Sequence, residues 1–207
     1  MRANGWTPTS VAARARVILR EQGPRSLWFK VLGETVYRRL LVTELRLPLG
    51  PHAQPLPPAG MKLRVLRDDE LGAYAELRGC DDVARASLAR GERCFGAWLD
   101  GRLVATQFVA AGSAYVRPLD RTIALRDGDA YGHSAYAATA ERGRGLGTQA
   151  TVAVAAALER EGFTRIVGVL DPENVPGIRM SERAGYRVVG KIGYLKLGPW
   201  RRDFGRL

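Results

Sequence analysis

Arg142, Gly143, Arg144, Gly145 and Gly147 crowd into one short stretch, and Thr148 follows them into an alanine-rich run. Glycine lets an anion come close to the backbone because no Cβ stands in the way. The first N–H groups of a helix have no partner inside it, and the aligned peptide dipoles put partial positive charge at the same end. The alanine-rich run has the pattern of a helix: Leu146, Ala150, Val154, Ala157 and Leu158 recur at spacings of three and four, and Gly162 stands where a helix stops. The chemistry this predicts is capture of a pyrophosphate by the N–H groups of residues 142–148, with Arg142 and Arg144 as added cations. Two commoner phosphate loops are excluded. No lysine follows Gly147, as a P-loop requires, and glycines at 143, 145 and 147 do not make G-x-G-x-x-G.

His133 is the residue on which proton transfer would rest. An imidazole with its ordinary pKa near ~6.5 accepts a proton at neutral pH. Strand alternation places it on one face with Tyr131, Ala135 and Ala137. From that face Tyr131 would shape an acceptor pocket or pass a proton. A lone histidine on a strand also serves as a buried residue bonded to a carbonyl, so the pattern leaves both roles open.

These residues need elements to hold them. Ala130–Ala138 reads as the strand entering the anion loop, and Arg165–Leu170 as the strand after the helix. Asn174 opens a short helical stretch that ends at Ala184-Gly185-Tyr186, and Arg187–Gly190 is a further strand. Upstream, Lys62–Arg67 alternates as a strand. Asp68-Asp69-Glu70 and Asp81-Asp82 start two short helices with acids in their first turns. Arg93–Leu99 and Arg102–Ala111 form a hairpin around Asp100-Gly101. Tyr115-Val116 and Thr122–Leu125 suggest one more.

Arg142-x-x-Gly145-x-Gly147, then a strand, Asn174, Gly177 and Gly185-Tyr186 in that order, resemble the GNAT superfamily of acyl-CoA N-acyltransferases. The resemblance runs over residues 129–197, thins over 61–128 and does not reach 1–60. It implies an α+β fold: a mixed, mostly antiparallel sheet that splays near its centre, flanked by helices, with an N-terminal helical extension added here. It implies acetyl-CoA, or coenzyme A, as co-substrate and no metal. By that resemblance the backbone of Ala137, Ala138 and Thr139 pairs with the pantetheine arm. Arg142, Gly143, Arg144, Gly145, Leu146, Gly147 and Thr148 take the pyrophosphate, and Asn174 bonds the arm or the neighbouring helix. His133, nine residues before Arg142, matches a histidine that relays the amine proton in some members. Where the family commonly places a tyrosine acid, this chain has Ser181, whose hydroxyl is shorter and far less acidic than a phenol.

The implied activity is transfer of an acyl group, most simply acetyl, to a primary amine of a small molecule, an amino sugar or a protein N-terminus. Two other readings fit the sequence: a catalytically silent coenzyme A-binding module, and a membrane-surface or partner-binding protein that acts through basic N-terminal helices.

The chain of 207 residues carries a net charge of +11, which favours acidic partners, coenzyme A among them. No nucleic-acid module or aromatic stacking motif accompanies the charge. Cys80 and Cys94 are too few for a disulfide framework or a zinc site. No apolar signal core or membrane-length run is present, so a cytoplasmic protein without a transmembrane segment is expected. Residues 1–47 are read as a helical extension, with a basic amphipathic helix over 11–22 and a second helix over 26–47. These would pack on the main domain, pair two copies or touch an acidic membrane. The proline-rich stretch 48–60 is read as a linker and 61–207 as the acyl-CoA N-acyltransferase domain.

Overall fold

A computed structural model describes Pro24 and residues 36–50, 58–139 and 144–207. The expected helix over 11–22, and the first part of the one over 26–47, lie outside the described residues. In chain order the elements begin with β1 (Tyr37–Arg46), β2 (Lys62–Val65), α1 (Leu71–Arg78) and α2 (Asp82–Leu88). Then come β3 (Arg93–Leu99), β4 (Arg102–Ala111), β5 (Ser113–Val116), β6 (Arg121–Ala124) and β7 (Asp129–Ala137). The chain continues through α3 (Leu146–Arg160), β8 (Arg165–Leu170), α4 (Val175–Arg183), β9 (Arg187–Leu197) and β10 (Trp200–Phe204).

The β3–β4 hairpin shows local chemistry setting geometry. Asp100 at φ 49° and Gly101 at φ 77° form a two-residue loop with both central residues left-handed. That is the turn whose twist matches the flanking strands. Gly79, at φ 81°, closes α1, and its N–H donates to Ala75 O.

Eight strands make one sheet in the order β10-β9-β1-β8-β7-β4-β3-β2, and β5 and β6 form a separate hairpin. All neighbours are antiparallel except β7 and β8, which run parallel through only three registered pairs, ending at Tyr131 opposite Val167. Beyond that point β7 continues along β4 to Ala137, while β8 continues along β1 to Leu170. The sheet therefore splays into two arms. Arg165 pins the foot of the splay: its Nε donates to Asp129 Oδ1 at 2.8 Å and its Nη1 to Glu44 at 3.1 Å.

Each face is packed. On one, α3 lays Val152, Val154, Ala155 and Leu158 against Leu45, Phe95, Val109 and Ile166. The other face divides in two: α1 and α2 cover Cys94 and Phe108 with Tyr74 and Ala84, and the β5–β6 hairpin covers Leu40, Val42, Tyr131 and Ile192.

β1 corrects the expected helix over 26–47, because Tyr37–Arg46 is a strand inserted between β8 and β9. Leu40, Leu41, Val42 and Leu45 match helical spacing, but a strand buried on both faces also reads as a nearly continuous apolar run. Leu40 and Val42 enter one core and Leu45 the other. The strand thus belongs to the sheet although the proline-rich stretch separates it in sequence. β9 also runs on to Leu197, and β10 adds an edge strand that the sequence pattern does not suggest.

Candidate active site

β7 carries the site, and it is not a regular strand. His133 pairs with Phe108 and Tyr136 with Thr106, so Ser134 and Ala135 together oppose the single residue Gln107. Ser134 sits at φ 50°. This is a β-bulge, and the extra residue reverses which face the rest of the strand presents. The expected common face of His133 with Ala135 and Ala137 is therefore overturned. His133 stacks on Tyr131 and Phe108, with ring centroids at 5.4 and 5.5 Å. Ala137 packs on the other face with Ala105, Leu146 and Ala150.

His133 is not alone. Its Nε2 lies 2.9 Å from Oε2 of Glu92, and its Nδ1 lies 3.1 Å from Oγ of Ser134. Glu92 is only 6% exposed and is also bonded at 2.7 Å by Arg90 Nε. Burial by itself would raise the Glu92 carboxyl, but hydrogen bonds from His133 and Arg90 outweigh it and hold the group at about 2. Glu92 is therefore a buried anion at neutral pH. Sequence reasoning missed it, since a lone acid between Arg90 and Arg93 has no motif. Arg93 and Gly132 both register with Val109 of β4, and that shared partner brings Glu92 and His133 together. Tyr131 is 2% exposed, and burial, with the Glu92 charge nearby, pushes its phenol up. It is a neutral wall for the imidazole.

The helix start is built as the spacing predicts. Gly145, at φ 75°, precedes α3, and its carbonyl accepts the first intrahelical bond from the Gln149 N–H at 3.0 Å. The N–H groups of Leu146, Gly147 and Thr148 thus have no acceptor within the helix, while the side chains of Leu146 and Thr148 point into the protein. Arg144 and Gly145 are exposed beside them. Arg142 and Gly143 lie outside the described residues.

Ala138 donates its N–H to Val104 O at 2.8 Å. Antiparallel pairing alternates, so the N–H and C=O of Ala137 turn to the opposite edge, toward the splay. Of Ala137, Ala138 and Thr139, Ala137 is the one whose backbone offers an edge there. Thr139 is exposed, with its hydroxyl 3.5 Å from that of Tyr136.

A narrow slot separates the β7 bulge from α3, lined by Ala135, Tyr136, Gly147, Thr151 and Met180. Thr106 and Gln107 line it as well, and their Oγ1 and Oε1 atoms are buried without a hydrogen-bond partner among the described residues. Buried polar atoms rarely stay unpaired; by strand alternation Gln107 shares the α3 side with Ala105 and Val109, whereas Thr106 shares the opposite face with Phe108. From α4 it is Met180, not the neighbouring Ser181, that lines this slot. Ser181 is 9% exposed, and its backbone carbonyl accepts from Tyr186 N–H. Asn174 caps α4, its Oδ1 accepting from Gly177 N–H at 3.1 Å. No group of metal-binding side chains occurs among the described residues.

A mixed sheet that parts after a short parallel pair, with a glycine-led helix start beside the opening, is the architecture of an acyl-CoA transferase fold. The model of the acetyltransferase (GNAT) family matches residues 62–186, more than half of the chain, and the chain belongs to that family. Its members are transferases that use acetyl-CoA.

The fold is similar to a GNAT-family acetyltransferase from Novosphingobium aromaticivorans, at 20% identity and a TM-score of 0.51, over 76% of this chain and 62% of that one. It is similar to a GCN5-related N-acetyltransferase from Sphaerobacter thermophilus, at 20% identity and a TM-score of 0.55, over 86% of this chain and 56% of that one. A GNAT-family acetyltransferase from Colwellia psychrerythraea shares 14% identity at a TM-score of 0.55, over 97% of this chain and 75% of that one. The chain thus spans less than two thirds of the length of the first two. No curated protein matches the sequence.

Proposed function

We propose that this chain is an acetyl-CoA-dependent N-acyltransferase that moves the acyl group to a primary amine by direct attack. The acceptor is a small-molecule amine, an amino sugar or a protein N-terminus. The observation that carries the reading is the splay itself, which has beside it the start of α3, whose first N–H groups have no acceptor within the helix, and the Glu92–His133 pair on the β7 arm. Acetyl-CoA supplies the thioester. Arg144 and the N–H groups of Leu146, Gly147 and Thr148 hold its pyrophosphate, with Arg142 and Gly143 completing the loop. The backbone of Ala137, at the open edge of β7, pairs with the pantetheine amides, and Gln107 on the α3 side lies beneath them.

An alkyl amine is mostly protonated at neutral pH, so the neutral fraction, its first proton left to solvent, is what attacks, and that nitrogen must lose one further proton during transfer. His133 receives that proton, and the buried carboxylate of Glu92 stabilises the imidazolium that forms. Ser181, packed into α4, has no part in this scheme.

Titration calorimetry with acetyl-CoA and free coenzyme A is the test, followed by a screen of amines for thiol release. Binding that weakens when Gly145 is replaced by a bulky residue, together with turnover of an amine, supports the reading. No binding of either ligand at about 1 mM, a limit near −4 kcal/mol, would overturn it.

A further inference from the structure

Both ring nitrogens of His133 are engaged, and the chemistry of the partners orders the bonds. The Glu92 carboxylate is ionised and can only accept, so the hydrogen in the 2.9 Å contact belongs to Nε2. A base must start as the neutral imidazole, which carries one N–H, so in the reactive state Nδ1 is the acceptor. The Ser134 hydroxyl, 3.1 Å away, must then donate to it. The result is a chain of carboxylate, imidazole and hydroxyl whose open end is Ser134 Oγ. This ordering is the one by which an acid–imidazole pair activates a hydroxyl.

The backbone supports a special role for that hydroxyl. Among the described residues three non-glycine residues have positive φ: Asp100, Asp120 and Ser134. The two aspartates sit in turns, whereas Ser134 lies within a strand. Glycine or asparagine would tolerate this conformation more readily. Ser134 also occupies the bulge, where β7 changes face between the His133 side and the Ala137 side that meets the slot. Its neighbours Ala135 and Tyr136 line that slot.

We propose that Ser134 is the residue that touches the acceptor amine and that His133 acts through it. This rests on the N-acyltransferase reading above. As the amine nitrogen bonds to the thioester carbon and the C–S bond breaks, one amine N–H proton passes to Ser134 Oγ. In the same movement the original hydroxyl proton passes to Nδ1 of His133. The serine ends as a neutral hydroxyl, the imidazolium is held by Glu92, and the thiolate leaves. Return of the proton from His133 to the thiolate or to solvent resets the chain. Ser134 is a relay and forms no bond to the acyl group.

Ser134→Gly is the informative variant, because it deletes the hydroxyl and suits the left-handed backbone. In 15N NMR of the ring, wild-type Nε2 should carry the proton and Nδ1 should accept, and the Nδ1 resonance should move in Ser134→Gly. With a productive amine, kcat should fall by about 10²-fold while KM for acetyl-CoA holds. A protonated Nδ1, or a kcat for Ser134→Gly within twofold of wild type, overturns the relay alone. A lasting acyl adduct on Ser134 after incubation with acetyl-CoA also overturns it, by making the serine a nucleophile. A wild type that binds acetyl-CoA but acylates no amine overturns the relay together with the reading on which it rests.

Discussion

Glu92 Oε2 and His133 Nε2 lie 2.9 Å apart, although Glu92 leads into β3, His133 lies on β7, and β4 runs between those strands. The pair couples the stability of the fold to the chemistry of the site. The folded carboxyl titrates at about 2, against an ordinary value of 4.5. A depressed acid contributes stability above its unfolded pKa, and that contribution is lost as the pH falls through the folded value. Glu92→Gln should therefore be less stable than wild type at pH 7, by about 1–3 kcal/mol, since the pull of His133 is complete only on the imidazolium. The difference should shrink between about pH 4.5 and pH 2. Urea denaturation of both proteins across that range measures it, and a constant difference would separate Glu92 from the acid limb.

The same substitution removes the charge that stabilises the imidazolium. With a productive amine, kcat of Glu92→Gln should fall by about tenfold or more, with KM for acetyl-CoA little changed. Steady-state kinetics that show only a raised KM would place Glu92 in binding instead.

The two glycines of the helix start should behave differently. A Cβ on Gly145 meets open space, but the residue sits at φ 75°. Gly145→Val therefore disturbs the local backbone, at about 1–2 kcal/mol, and blocks the anion's approach. Coenzyme A affinity should drop at least tenfold, with the circular dichroism spectrum unchanged. A Cβ on Gly147 would lie 3.1 Å from Met180 Sδ, the flexible end of a side chain. Gly147→Ala should cost less than about 1.5 kcal/mol by thermal denaturation, because a thioether can give way.

Arg165 anchors both arms at the foot of the splay. Its replacement by methionine leaves the buried Asp129 and the half-buried Glu44 without their shared cation. Breaking such a pair costs about 3–5 kcal/mol, and partial solvent access to Arg165 points to the lower end of that range. A loss below about 1 kcal/mol in guanidinium denaturation would show that β7 and β8 are held by packing alone.

β1 is testable by one core substitution. Leu40 is 1% exposed between the sheet and the β5–β6 hairpin. Leu40→Ala should destabilise the whole protein by about 2–5 kcal/mol in a single cooperative transition. A peripheral appendage would lose less than about 0.5 kcal/mol.

The sequence determined the features that depend on neighbours in the chain. Asp100-Gly101 specifies its hairpin because both residues tolerate left-handed backbone. Leu146 to Leu158, with Gly162 at its end, specifies α3, and the glycines before it specify an open helix start. Asn174 specifies the cap of α4 through a contact three residues long. Tertiary structure alone decided the rest. Tyr37–Arg46 became a strand because β8 and β9 bond both its edges and two cores bury its two faces, so its local helical spacing lost. The bulge at Ser134 turned Ala137 away from His133, since alternation holds only while each residue has one partner across the ladder. Glu92 became the partner of His133 because β3, β4 and β7 lie side by side, and no local pattern records which strands will be neighbours. Local conformation follows from steric preferences encoded in a few adjacent residues. The Glu92–His133 contact follows from strand order, which the burial of the whole chain selects.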